Sequence, residues 1–127
     1  MKYLILIILI ANSSYSYGQN NVVNKIDLIG CWTDSREENI QNSDTQVYRP
    51  CDYKSFPTFR FRFVMNLKKK NKCTWLYLAP NDAHHMKDGT WTFNEKTRIL
   101  KIFNNDKQEV KSFEIAVIKE NKLILKN

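Results

Sequence analysis

The chain has 127 residues, with 20 Lys and Arg against 13 Asp and Glu, a formal net charge of +7, and only three glycines. That length holds one domain with a small, compact core and excludes a multidomain arrangement. The basic residues are mostly scattered, with Lys68-Lys69-Lys70 the one run, so the charge does not mark a nucleic-acid surface and no nucleic-acid partner is expected.

Lys2 and the apolar stretch from Leu4 to Ala11 have the length of a signal-peptide core, well short of the roughly 20 residues that a membrane span needs. Ser16-Tyr17-Gly18 sets small residues at the cleavage-determining positions. Residues 1–18 are therefore expected to be a removable signal peptide, with one domain over residues 19–127 and Gln19 as the mature start. The expected location is exported, periplasmic or secreted, and no later apolar run is long enough to cross a bilayer.

Leu28-Ile29-Gly30-Cys31-Trp32 reads two ways. As Leu-x-Gly-Cys it mimics the lipid-attachment signal of an exported lipoprotein. A lipidated cysteine must follow the apolar core directly, however, and the polar stretch from Gln19 to Asp27 intervenes, so no lipid anchor is expected at Cys31. As Gly-x-Trp after a short apolar run, the same residues open a β-strand, with one helical turn expected within Val22 to Leu28.

From there the dominant period is two. Strands are predicted over Cys31 to Glu38 and Thr45 to Arg49. The clearest runs from Thr58 to Leu67, where Phe59, Phe61, Phe63, Met65 and Leu67 share one face and Arg60, Arg62 and Asn66 the other. Lys68-Lys69-Lys70 is a hairpin turn into Lys72 to Ala79, which carries Cys73, Trp75 and Tyr77 on one face. Further strands follow over Thr90 to Phe93, Arg98 to Phe103, Glu109 to Lys119 (Phe113, Ile115 and Val117 aligned) and Lys122 to Lys126. Pro80-Asn81-Asp82, Asn94-Glu95-Lys96, Asn104-Asn105-Asp106 and Glu120-Asn121 supply the turns. About eight antiparallel strands with short connections and no helical crossover predict an all-β, up-and-down closed barrel, which also removes exposed edges. Eight strands enclose a space that side chains fill or that holds one small ligand.

Three cysteines in an exported chain allow one disulfide. The expected pair is Cys51 with Cys73, tying the loop around Phe56-Pro57 to the barrel and leaving Cys31 as a buried thiol or an intermolecular link; three reduced thiols are the alternative. The polar stretch from Asn81 to Asp88 holds both histidines, His84 and His85, beside Asp82 and Met86, and is expected to form a rim loop. Adjacent residues on an extended chain point opposite ways, and the spacing matches no metal motif, so no metal or other cofactor is expected. With the phenylalanine face turned inward, Arg60 and Arg62 project outward, where Asp34, Glu37 or Glu38 can pair with them; a locally inverted barrel is the alternative, which would put both inside to clamp a ligand carboxylate or phosphate. No nucleophile elbow, metalloprotease helix or phosphate-binding glycine loop is present, so the chain is not expected to be an enzyme.

Leu28-Ile29-Gly30-Cys31-Trp32 at the head of eight strands resembles the Gly-x-Trp opening of the lipocalins. Gly89-Thr90-Trp91, Phe113-x-Ile115 and Leu123-x-Leu125 resemble the short lipocalin-like (calycin-type) domains of exported bacterial proteins. Val47-Tyr48-Arg49-Pro50, Phe56-Pro57-x-x-Arg60-x-Arg62 and Leu78-Ala79-Pro80-Asn81-Asp82-Ala83-His84 resemble a group of small secreted lipocalin-like proteins of unassigned function. The resemblance implies that Trp32 closes the barrel floor and that Gly30 lets the backbone pack closely. It also implies a small apolar or amphipathic ligand held against Trp32, Phe59, Phe61, Phe63, Trp75 and Trp91 in a monomer. The alternative is a secreted interaction module of inhibitor or immunity type with a filled barrel. Its protein partner would meet the loops Asn39 to Thr45, Cys51 to Thr58 and Asn81 to Gly89.

Overall fold

The computed structural model describes residues 22–59, 61–78 and 84–126. The expected signal peptide with its cleavage after Gly18, together with Arg60 and Asp82, lies outside the described residues. Eight strands form: β1 (Gly30–Asp34), β2 (Thr45–Pro50), β3 (Val64–Leu67), β4 (Lys72–Leu78), β5 (His84–Asn94), β6 (Ile99–Asn104), β7 (Glu109–Lys119) and β8 (Lys122–Lys126). They close into a barrel in the order β1-β2-β8-β7-β6-β5-β4-β3, and every neighbouring pair is antiparallel. The all-β barrel expected from the two-residue period is thus the fold. The helical turn expected before β1 is a 3-10 turn over Lys25–Leu28.

From β3 to β8 the chain runs up and down in sequence order, but β1 sits between β2 and β3. Thr33 pairs with Arg49 on one side and with Val64 on the other. Strands β2 and β3 therefore point the same way, and residues 51–63 must carry the chain back across β1. This shortens the strand expected over Thr58 to Leu67. Strand β1 offers ladder partners only from Gly30 to Thr33, so β3 begins at Val64, and the described residues 58, 59 and 61–63 are irregular. Phe63, Met65 and Leu67 are buried, Phe61 is half-buried, and Phe59 is 40 % exposed.

The crossover is fastened at both ends. Cys31 alternates with the inward Trp32 and so faces out. The Cys51 amide donates to the Cys31 carbonyl at 3.1 Å, and the two sulfurs are bonded. The expected Cys51–Cys73 pairing is therefore incorrect: Cys73 lies on the inward face of β4, buried and free, and burial pushes its thiol up to about 11. At the other end Arg62 donates to the Glu37 carboxylate at 3.0 Å, to the Pro57 carbonyl at 2.8 Å and to the Asp34 carbonyl, which fixes it outside the core as expected. Arg36 donates to the Phe61 carbonyl at 2.7 Å. Thr33, outward-facing yet only 4 % exposed, lies beneath this cover.

Strand β1 ends at Asp34 rather than Glu38, because Ser35 turns into a 3-10 turn over Arg36–Glu38. Strand β5 starts at His84 rather than Thr90: it pairs with the whole of β4, from Leu78↔His84 to Lys72↔Thr90, so the expected rim loop is ladder from His84 to Asp88. In β7 the register shifts between Ile115 and Val117, and Ile118 rather than Val117 comes opposite the inward Leu123. The turns at Asn94 to Arg98, Asn104 to Lys107 and Glu120-Asn121 form as expected, with positive φ at Arg98, Lys107, Glu120 and Asn121.

Inward residues make one continuous core that includes Trp32, Met65, Trp75, Trp91, Leu100 and Ile102. Two glycines are needed for different reasons. Gly30 has φ of +147°, a conformation that L side chains resist, and a Cβ there would meet nothing within 4 Å. Its task is backbone conformation, not the close packing that the resemblance implied. At Gly89 a Cβ would collide with the Phe103 carbonyl oxygen and come within 2.5 Å of the Trp75 ring.

Gly89→Ala is expected to cost about 3 kcal/mol by overpacking, read as a lowered denaturant midpoint. Replacing Cys31 and Cys51 together by Ser opens a loop with a sequence separation of 20. On loop-entropy grounds that is expected to cost about 3 kcal/mol, and Cys73→Ser is expected to leave the disulfide intact by mass.

Candidate functional site: the open end of the barrel

The two ends of the barrel differ. At one, the 3-10 turn over Lys25–Leu28 buries Leu28 completely and Val23 nearly so. The Trp32 indole N–H donates to the Leu28 carbonyl at 2.9 Å, and that of Trp91 donates to the Lys68 carbonyl at 2.9 Å. Lys25 lies over the Trp91 ring, 5.0 Å from its centroid, and bonds the Asn71 side chain. Both indoles have their polar edge satisfied by backbone, which lets them close this end.

At the far end, inward-pointing side chains reach solvent. Lys87 is the register partner of the inward Trp75, and Lys111 that of the inward Ile102, so both lysines face the barrel interior; both are exposed. The Lys87 ammonium sits 3.9 Å from the centroid of Tyr77, and that of Lys111 5.2 Å from the centroid of Phe63. Behind them Phe113 meets Tyr48 edge-on with centroids 6.1 Å apart, and Phe63 at 6.2 Å. The result is an aromatic wall beside two cations.

Asp34, opposite Tyr48 in the ladder, faces inward at the same end. Its Oδ1 is buried without a hydrogen-bond partner, while Oδ2 accepts from Arg36 at 3.4 Å. Burial raises its pKa against the lowering pull of Arg36 and Arg62. Tyr48 is raised too, first by burial and then by the Asp34 charge. Just outside, Glu38 shows the opposite behaviour. Arg49 grips it with Nε to Oε2 at 2.8 Å and Nη2 to Oε1 at 2.7 Å, and Ser35 Oγ donates at 2.7 Å. The Arg49 hydrogen bonds hold its carboxyl down at about 2.

The residues expected to line a ligand are dispersed. Trp32 and Trp91 belong to the sealed end, Trp75 is buried mid-barrel, and Phe59 lies outside, sandwiched between Arg36 and Arg62 at 4.9 and 4.6 Å. Phe61 and Phe63 alone approach the open end. His84 and His85 are exposed on successive positions of β5, and the His84 ring meets Phe61 edge-on at 5.8 Å. Among the described residues no three His, Cys, Asp or Glu side chains converge as metal ligands. Lys87, Lys111, Asp34, Tyr48 and Phe113 were not anticipated as site residues. Parity carried the signal: Lys87 alternates in phase with Gly89 and Trp91, and Lys111 with Phe113 and Ile115.

The two carboxyls give opposite pH effects. Glu38, depressed to about 2 from 4.5, contributes stability above pH 4.5 that is lost as pH falls toward 2. Asp34, raised above 3.8, works against folding once pH exceeds its folded value. Urea titrations should therefore find Glu38→Gln about 2 kcal/mol less stable at neutral pH, with a flatter acid limb. Asp34→Asn should be no less stable than wild type at neutral pH and should lose that advantage in acid.

Residues 28–125 match the family model described as a lipocalin-like domain. No curated protein and no solved structure matches the chain.

Proposed function

The chain belongs to the lipocalin-like domain family, and on that premise we propose that it is an exported carrier that takes a small amphipathic anion into the open end of its barrel. The observation that carries this reading is the pair of inward, solvent-reaching lysines, each laid on an inward aromatic ring. The rings offer apolar area and the ammoniums a solvent-accessible counter-charge beside it. The buried tryptophans limit the depth of the seat, so the apolar part of the ligand is short or remains partly outside. The arrangement is suited to binding, since it sets two cations beside aromatic rings at the mouth of the barrel. The Cys31–Cys51 bond fits an oxidising compartment, and a cysteine engaged there carries no lipid. No helix among the described residues is long and apolar enough to cross a membrane.

A second reading, a protein-interaction module with a filled barrel, draws on the completely buried Trp91 and nearly buried Trp75 together with Ile40, Tyr53 and Phe59, exposed by 73, 45 and 40 %.

Titration with dodecanoate, followed by quenching of tryptophan emission, separates the two. The carrier reading expects saturable binding that Lys87→Glu with Lys111→Glu weakens about tenfold or more, while dodecanol binds less well. Equal affinity in the variant, or no binding of either amphiphile, would sink it. The intact mass of the exported protein should correspond to a chain starting at Gln19 without lipid.

A further inference from the structure

The sealed end carries two grooves, one on each side of the turn over Lys25–Leu28, with Ile29 bordering both. The larger, about 760 Å³, has an apolar floor of Ile29, Trp32 and Pro50 and is rimmed by Asp27, Asp52 and Glu120, with Lys119 the one cation. The smaller, about 400 Å³, is lined by Ile29 and Trp91, with Ile26 at its edge, and by Lys25, Lys68, Lys69 and Lys70, with no acid. Among the described residues, Asp27, Asp52 and Glu120 enter no ion pair, nor do Lys68, Lys69 and Lys70. On the ridge between the grooves, which the turn over Lys25–Leu28 forms, Ile26 is 73 % exposed. An apolar ridge between an acidic and a basic groove is an unsatisfied surface, and its pattern of charge is complementary to itself.

We infer that the sealed end is where a second copy of this chain docks, through a twofold axis lying along the ridge. Rotation about that axis sets the acidic groove of each copy against the lysine groove of the other and Ile26 against its own counterpart. An axis across the ridge would set acid on acid, so charge selects one of the two geometries. Both contacts are made at once, as an isologous interface requires. The occupant is a second copy because the surface that complements each groove is the adjacent groove of the same molecule. This departs from the monomer that the sequence suggested. It is independent of the carrier reading: the open ends face away from the interface and stay free in both copies.

Sedimentation of the purified protein across the micromolar to millimolar range tests this. The expected result is a reversible dimer. Lys68→Glu, Lys69→Glu and Lys70→Glu together, or Asp27→Lys, Asp52→Lys and Glu120→Lys together, should each weaken it about tenfold or more, because like charges then face each other. Mixing the two variants should restore a dimer, since both contacts of the mixed pair are again opposite in sign. Ile26→Asp, a change at an exposed position that the fold tolerates, should weaken the wild-type dimer as well. A wild type that stays monomeric throughout, even if it captures some other protein, overturns the inference; so does a dimer indifferent to both charge reversals and to Ile26→Asp.

Discussion

Strand β1 lies between two strands that follow it in sequence, and the barrel closes only if the chain between them crosses its outer face. The described residues between Cys51 and Phe63 have no strand partner to hold them, so their position depends on side chains. A covalent bond holds one end, at Cys31–Cys51. Arg62 and Arg36 hold the other by donating to backbone carbonyls of Asp34, Pro57 and Phe61. Backbone that would otherwise need a ladder or water is satisfied this way. The phenylalanines of the crossover then stack between the same cations, with Phe56 and Phe59 both against Arg62. Shielding of Thr33 and the irregular backbone ahead of Val64 both follow from this one routing.

The division of the barrel into a sealed and an open end has the same origin as its core. Inward positions are large and apolar near the turn over Lys25–Leu28, where Trp32, Leu67 and Trp91 meet, and become polar toward Asp34, Lys87 and Lys111. A filled end supplies burial and hence stability. The opposite end keeps Lys87 and Lys111 where burial is incomplete, so their charges are tolerated and remain accessible. The proposed carrier site and the inferred self-association surface thus lie at opposite poles.

Much of the fold was legible because strands alternate. Phe63, Met65 and Leu67, Trp75 against Cys73, and Leu123 with Leu125 announce their inward face, and the asparagine-rich turns fall where the ladders end. The order of β1 and β2 was not legible, since Phe59 to Leu67 alternates equally well in a strand and in an extended crossover; only the length of β1 decides. Disulfide choice was hidden for the same reason, because Cys31 and Cys51 become neighbours only once β1 and β2 pair. In the site, parity would have revealed Lys87 and Lys111, whereas the unpartnered oxygen of Asp34 depends on how Arg36 and Arg62 divide their donors, which no spacing encodes.

The burial of Cys73 bears on how this protein matures. Three thiols admit three single disulfides, and in an unfolded chain nothing favours the native one. Once the core closes, Cys73 is both inaccessible and, with its thiol at about 11, almost entirely un-ionised, so it takes no part in exchange. Oxidation that waits for the barrel can join only Cys31 to Cys51. Oxidation that precedes it can commit Cys73 to a partner outside the barrel wall and leave an inward strand that cannot turn in. Pairing fidelity is therefore highest when the barrel closes before Cys31 and Cys51 are oxidised.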